Sequence, residues 1–414
     1  MNNITICIGT TEKSNMIWLY SKAFVSLGYN VITIAEPHPF FKNNYTYNLA
    51  KPDWLFNSFK SRNVYYKIVN VILWQASKLY TQIRRNLLYY KLRKKIDIMI
   101  VIGDGFFSKN HRDYQYLKSK NKKIVQICYG GDVRCWDAFN QEFKIEIQTI
   151  EQQPIENNRF NITLNRLRKA ELYADAIFSL PDQHGLGLRP YFKVYLPFEC
   201  EDYKFTLNNR EKPIIVHFES RLPYKGENFL YSAIEILKKE GLQFDFHIHK
   251  DMKHNEVIEK LQDADILLDE CLIFGPGTLG NEAIACGCAL VTKVQKDHFI
   301  FPYVCNISEY NILEPLRNFI LDKTLRIKNL EIAYQKLKEF NYPKNIALDI
   351  LEKIKIDRKD FANHTHIPKF YLDKYIIPHG HSLNKKNKEN TKLILNEYIN
   401  DSKKLDNLLS KNLA

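Results

Sequence analysis

A chain of 414 residues exceeds one ordinary hydrophobic core, and 45% hydrophobic residues exclude a disordered chain, so two domains are expected. The formal net charge of +13, from 60 Lys and Arg against 47 Asp and Glu, points to an anionic partner: nucleic acid, an anionic lipid surface or a phosphorylated substrate. The sequence lacks an apolar run of about 18 residues and a basic-then-apolar leader, which predicts a cytoplasmic protein that keeps its amino terminus and has no spanning helix.

The amino-terminal half alternates predicted strands and helices. Strands are expected at 4–8, 31–34, 98–101, 124–128 and 176–179, with a helix through 16–27 after the first, and such alternation implies a parallel sheet covered on both faces. Between Asp53 and Asp97 there is no acidic residue, yet Lys60, Arg62, Lys67, Lys78, Arg84, Arg85 and Lys91 fall there. Ile68, Ile72, Ala76, Leu79, Ile83, Leu87 and Tyr90 recur at helical spacing in this stretch, with Lys67, Lys78 and Arg85 on the opposite face. One reading is a helix packed on the sheet with a solvated basic face. The other is a surface over residues 60–95 that docks on anionic lipid, making the protein peripheral on the inner face of a membrane.

Three loops follow strands in this half. Gly9-Thr10-Thr11 is expected on an acceptor side, and Gly103-Asp104-Gly105 has a weaker claim. In CYGGDVRCWDA a glycine pair ending at Gly131 lets backbone approach a ligand, and Asp132 and Arg134 follow where the carboxyl edge of a sheet opens. Asp132 has two readings, a carboxylate for sugar hydroxyls or an ordinary helix cap.

Residues 196–212 carry few periodic apolar positions and read as a linker between a first domain, 1–195, and a second, 213–355. Strands are expected there at 214–218, 244–248, 266–268 and 289–292. After the first of these come Arg221 and Lys225, and a guanidinium fork with a compact ammonium suits a diphosphate. Residues 264–292, ADILLDECLIFGPGTLGNEAIACGCALVT, read as strand, glycine loop, helix from near Asn281, and strand. A helix so placed presents unbonded N–H groups and the positive end of its dipole to an anion, and Glu282 in the first turn suits a ribose diol. Gly275, Gly277 and Gly280 also spell G-x-G-x-x-G. A dinucleotide fingerprint belongs after the first strand of its unit with an acidic residue roughly 20 positions on, and neither holds here.

The segments S-R-L-P-Y-K-G (220–226), A-D-I-L-L-D-E (264–270) and G-x-x-x-x-E-A-x-A-x-G (277–287) together resemble the nucleotide-binding half of GT-B glycosyltransferases, in particular the retaining glycosyltransferase family 4. The resemblance covers 213–292 well and the amino-terminal half loosely. It implies two Rossmann-like parallel-sheet domains facing across a cleft, and transfer of a sugar from a nucleoside-diphosphate donor to a hydroxyl of a surface-polysaccharide or lipid-linked glycan. Arg221 and Lys225 would then grip the diphosphate, the amides of Gly277, Thr278 and Leu279 would cradle it, and Glu282 would bind the ribose. Asp132 would act on the catalytic side, where GGDVR resembles a family motif, and Gly9, Thr10, Gly131 and Arg134 would line the acceptor side. Many members carry a second glutamate eight positions before the ribose glutamate. Here that position is Phe274. Neither metal nor cofactor is expected, because cationic side chains and helix amides take the place of a divalent ion.

Competing readings are a nucleotide-sugar epimerase-like enzyme and a non-catalytic GT-B relative. A nucleic-acid binder is not expected, since the basic residues lie on one helical stretch without aromatic strand motifs. The eight cysteines show no paired C-x-x-C spacing and read as reduced core thiols. The pairs His364/His366 and His379/His381 lack the fuller ligand set of a zinc site. Residues 356–414 read as a helical tail.

Overall fold

The computed structural model describes residues 4–12, 14–36, 43–49, 64–103, 106–108, 112–130, 132–133, 166–180, 191–219, 225–296 and 298–356, with side chains of 64–68 left aside. The sequence-based expectations for Arg221, Gly131, Arg134, Asp104, Gly105, the two histidine pairs and the tail from 357 fall outside these residues. The chain divides into two compact units. The first holds residues 1–138, 154–194 and 347 onward, and the second 139–153 and 195–346.

The first unit is built on a fully parallel seven-stranded sheet, ordered β3-β2-β1-β4-β5-β6-β7, from β1 (Thr5–Thr10), β2 (Asn30–Ala35), β3 (Tyr47–Asn48), β4 (Ile98–Ile102), β5 (Lys123–Cys128), β6 (Ala176–Ser179) and β7 (Phe192–Lys193). Helices α1 (Met16–Ser26), α2 (Val64–Leu92) and α3 (Arg112–Ser119) connect its strands. Strand β4 is the buried run IMIVI, which a parallel strand covered on both faces requires. The order reverses between β1 and β4, the position at which open α/β sheets form a crevice beyond their carboxyl ends.

The second unit has a parallel five-stranded sheet, β12-β11-β10-β8-β9, from β8 (Ile214–Phe218), β9 (Asp245–His249), β10 (Ile266–Leu268), β11 (Ala289–Thr292) and β12 (Cys305–Asn306). Its helices are α4 (Glu227–Lys239), α5 (His254–Asp263), α6 (Thr278–Cys286), α7 (Leu313–Leu321), α8 (Lys323–Phe340) and the start of α9 (Pro343–Lys353). In α4 the buried positions Leu230, Ala233, Ile234 and Leu237 follow the i, i+3, i+4, i+7 stripe that lays one face on the sheet. The order reverses between β8 and β10, so topology alone directs a ligand to the loops after those two strands.

Register in both sheets is fixed by the same device. Asp97, Asp175 and Asp265 each stand immediately before a strand and accept an amide at the start of the neighbouring strand: Thr5 at 2.9 Å, Ile124, the second residue of β5, at 2.8 Å and Ile214 at 2.9 Å. Each carboxylate is also held by a cation, Lys122 at 2.8 Å, Lys118 at 2.8 Å and Arg210 at 3.1 Å respectively.

Two segments differ from the sequence reading. Residues 196–212, read as a linker, lie on the second unit. Phe198 stacks on Tyr203, Asn208 donates from Nδ2 to the carbonyls of Gln262 and Ala264, and the Thr206 amide closes on Cys286 O at 3.0 Å. Residues 347–356 group with the first unit instead of the second, with Ala347, Ile350 and Ile354 buried and Lys353 Nζ 5.9 Å from the Phe192 ring centroid.

Helix α2 is turned the other way from the packed-helix expectation. Ile72, Leu79, Ile83, Leu87 and Tyr90 are exposed, whereas Ser77, Leu92 and the side chain of Arg85 are buried or nearly so. Arg85 pairs with Glu36 and donates to Thr10 Oγ1 on this inward face, where Leu88 and Leu92 pack on the core. Among the described residues no helix is long and apolar enough to cross a membrane. All seven described cysteines are buried thiols without a disulfide.

Candidate functional site

The second sheet's reversal point gathers the predicted ligand-binding side chains. The loop after β8 ends at Lys225, whose Nζ lies 2.6 Å from Asp269 Oδ1 and 3.2 Å from Phe218 O. Asp269 directly follows β10, and its own amide is fixed by Val291 O at 2.9 Å. Burial works against the ammonium, but the charge of Asp269 and its hydrogen bond, with Glu270 and Glu227 beyond, outweigh burial and hold Lys225 above the usual lysine range. Gly226, next in sequence, sits at φ 82°, and a Cβ there would come within 2.5 Å of Cys271 Sγ, so only glycine lets this turn close on β10.

Helix α6 begins at Thr278, three residues earlier than expected, with Gly277 as its N-cap. The first intrahelical bond runs from Asn281 N to Gly277 O at 3.2 Å, which places the Gly277, Thr278 and Leu279 amides in the anion-attracting first turn. The earlier start separates the three glycines by role. A Cβ on Gly280 would meet Pro276 Cβ at 2.9 Å and Leu290 at 3.1 Å, so this glycine packs the helix against β11. At Gly275 it would meet Thr292 Oγ1 at 2.8 Å. At Gly277 it meets nothing within 4 Å, which leaves open space beside the amides.

The same shift moves Glu282 into the second turn, beyond the amide cradle. Its Oε1 accepts from Tyr203 OH at 3.3 Å and lies 2.8 Å from His254 Nε2. The hydrogen bond to Glu282, against a smaller opposing effect of burial, raises the imidazole above its ordinary range. Burial and the Glu282 carboxylate push the Tyr203 phenol up as well. Sequence reasoning missed both partners. His254 opens α5 after the exposed KDMK turn, and a histidine at a strand-to-helix loop on the carboxyl edge was the available signal.

Phe274, at the position of the absent second glutamate, has Lys293 Nζ 5.4 Å from its ring centroid. Lys293 follows β11, donates to Leu272 O at 3.3 Å and is paired at 2.9 Å with Glu309, whose side chain is 2% exposed. A cation thus sits beside the aromatic ring, neutralised from the far side. No group of three or more His, Cys, Asp or Glu placed to hold a metal ion occurs among the described residues.

On the first unit, Gly9 and Thr10 end β1. A Cβ on Gly9 would come within 2.3 Å of Ile34 O, so the glycine serves the contact with β2, and Thr10 is fully buried. Glu12, just beyond, accepts from Tyr45 OH at 2.6 Å and from the Ile17 amide at 3.3 Å, and burial raises its carboxyl despite these bonds. Asp132 is 3% exposed, its Oδ2 accepts the Tyr129 amide at 3.3 Å, and its carbonyl accepts from Arg166 at 3.1 Å. The carboxylate is therefore turned onto the backbone of its own turn. The structure brings together Lys225, Gly277, Thr278, Leu279 and Glu282 on one sheet edge, and places Gly9, Thr10 and Asp132 on the other unit.

Comparison with solved structures gives sucrose-phosphate synthase from Thermosynechococcus elongatus at a TM-score of 0.52, with 10% identity, covering 85% of this chain and 98% of that one. The fold is GT-B. WaaG, a glycosyltransferase involved in lipopolysaccharide biosynthesis, is similar at a TM-score of 0.48 with 13% identity over 84% of this chain and 99% of its own. No family model matches the chain, and no curated protein sequence matches it. In the carboxyl-terminal sheet β8 and β10 flank the reversal point.

Proposed function

We propose that the protein is a retaining glycosyltransferase of family 4 type, a hexosyltransferase-like enzyme that moves a sugar from a nucleoside-diphosphate donor to a hydroxyl of a surface-polysaccharide or lipid-linked glycan. The observation that carries this reading is the open space at Gly277, beside the first-turn amides of α6, on the same sheet edge as the Lys225 ammonium. A site built from helix amides, an ammonium and a carboxylate set back by one turn suits a diphosphate followed by a ribose. The GT-B fold supports the same donor class.

In this reaction the bond between the anomeric carbon and the diphosphate oxygen breaks, and a bond from that carbon to the acceptor oxygen forms on the same face. The acceptor proton passes to the departing phosphate oxygen. Negative charge gathers on the leaving group, and Lys225, Arg221 and the amides of Gly277, Thr278 and Leu279 stabilise it. Glu282 holds the ribose hydroxyls. Neither a metal nor a cofactor takes part in this scheme. The acceptor-side candidates Gly9, Thr10, Gly131 and Arg134 belong to the first unit, as does Asp132, whose carboxylate holds the backbone of its own turn.

A thermal-shift panel of UDP, GDP, ADP, CMP and their common sugar conjugates, with and without EDTA, tests the donor site in wild type and Glu282→Ala. Ligand binding raises apparent stability by mass action. The expected result is a shift with one nucleoside diphosphate that survives EDTA and fades in the variant. Absence of any shift sinks the reading and favours a non-catalytic relative. Free epimerised sugar nucleotide, formed without acceptor, would favour an epimerase.

A further inference from the structure

Helix α2 is 29 residues long, and it carries apolar side chains on its outward face as well as on the face that packs on the core. With an advance of about 100° per residue, Ile72, Leu79, Ile83, Leu87 and Tyr90 fall within roughly 80° of arc. Their exposures are 61%, 62%, 49%, 65% and 65%, so the stripe is apolar and open to solvent over about 27 Å of helix. The inward face packs Leu88 and Leu92 on the unit's core, beside Ser77 and the Arg85 guanidinium on Glu36.

Cations border the stripe along one side, where Lys91 stands about 40° beyond Leu87 and Lys94 and Lys95 are exposed in the turn that follows. Lys78 stands about 100° from Leu79 on the other face, its Nζ 3.1 Å from the centroid of the exposed Trp74 ring, and Arg84 donates to Asn48 O at 2.9 Å. No acidic residue occurs between Asp53 and Asp97 to meet them.

We infer that this face of α2 docks in the plane of an anionic lipid bilayer, with the apolar stripe in the acyl boundary and Lys91, Lys94 and Lys95 at headgroup phosphates. A bilayer surface satisfies both halves of the pattern, since it takes an apolar ridge about 5–10 Å deep with cations beside it. A second copy of this chain does not. Pairing two such faces would set like charges against each other over a stretch that offers no carboxylate. Helix α2 is not apolar enough to span a bilayer, which leaves it lying at the interface. The location fits a lipid-linked acceptor, but the docking itself stands apart from the transferase reading.

Flotation of the full chain with vesicles tests the inference without any substrate. Vesicles of phosphatidylcholine alone are compared with phosphatidylcholine and phosphatidylglycerol in equal parts. The wild type is expected to float only with the second, and to be released by high salt. Leu79→Ser/Ile83→Ser/Leu87→Ser changes exposed positions only, so its far-UV circular dichroism and thermal midpoint should match the wild type while partitioning falls at least tenfold. Lys91→Gln/Lys94→Gln/Lys95→Gln is expected to lower partitioning about a hundredfold, at roughly fivefold per cation. Failure of the wild type to float with phosphatidylglycerol, or equal flotation of the serine variant, overturns the inference. Light scattering that shows a wild-type dimer and a monomeric serine variant would also overturn it, since a second copy would then cover the stripe.

Discussion

Lys225 Nζ lies 2.6 Å from Asp269 Oδ1, and this pair ties the loop after β8 to the end of β10 where the second sheet reverses its strand order. The side chains are 15% and 3% exposed, so the ammonium is held at the sheet edge by a buried carboxylate. An ammonium fixed in this way meets a diphosphate without ordering a flexible side chain first.

Removing either member should therefore do different things. Asp269→Ala leaves a buried ammonium without its partner and is expected to cost about 3 kcal/mol of stability, read by urea denaturation. Lys225→Ala, like Arg221→Ala, is expected to lower turnover at least tenfold, consistent with a charge-assisted contact of about 1.5–3 kcal/mol. Because Lys225 is raised above its unfolded range, its contribution is fully present below about pH 10.4 and is lost as pH rises through the folded value. Near-normal turnover in both lysine and arginine variants would remove them from the donor site.

His254 and Glu282 give the site a pH dependence of opposite consequence for ligand. The imidazole is raised by Glu282, so the charged pair is complete below about pH 6.5 and dissolves as pH rises through the folded value. In that window Glu282 Oε1 passes from an imidazolium to a neutral partner and becomes a better acceptor for ribose hydroxyls. Affinity for the nucleoside diphosphate, measured by calorimetry from pH 5.5 to 8, is expected to strengthen with pH, roughly the range in which histidine titrates. His254→Gln should flatten the profile, and an unchanged profile would remove His254 from the site.

The two glycines of α6 separate ligand from architecture. Gly277→Ala enters open space on an extended backbone, φ −80° and ψ −168°, and should cost no more than about 1 kcal/mol as a poorer cap. Its methyl group stands beside the first-turn amides, so nucleotide affinity should fall at least tenfold. Gly280→Ala forces a methyl group against the Pro276 ring and should cost about 1–3 kcal/mol by overpacking. Thermal denaturation with and without ligand reads both. Equal effects of the two substitutions on affinity at matched stability would refute the division.

Strand positions were legible because parallel strands buried on both faces are short, mostly apolar runs: β6, β8, β10 and β11 begin and end where AIFS, IIVHF, ILL and ALVT predict. The two-residue strands β3, β7 and β12 carry no such run and are set by pairing with β2, β6 and β11. The amide cradle was legible from the glycines, but the start of α6 was not, since Gly280 reads as a breaker in sequence and sits inside the helix to let Leu290 approach. The orientation of α2 was hidden for a related reason. Periodicity finds an apolar stripe and cannot tell whether the stripe faces a core, and here Leu88 and Leu92 take the core side, with Arg85 paired to Glu36 beside them.

The three aspartates that clamp strand amides make a graded stability prediction. Asp265 has a side chain 1% exposed, Asp175 9% and Asp97 37%, and each accepts an amide at the start of a neighbouring strand while held by a cation. Loss of a buried acceptor strands both the amide and the cation, so Asp265→Ala and Asp175→Ala are expected to cost about 2–4 kcal/mol each. Asp97→Ala is expected to cost less, because water replaces its carboxylate at an exposed position. Burial raises the Asp97 carboxyl, but Lys122 and the Thr5 amide outweigh it and hold it below the usual carboxylate range. Its contribution is therefore present above about pH 3.9 and lost as pH falls through the folded value. Denaturation of the three variants side by side checks the order, and an Asp97 variant as damaged as the Asp265 variant would show that burial does not set the cost.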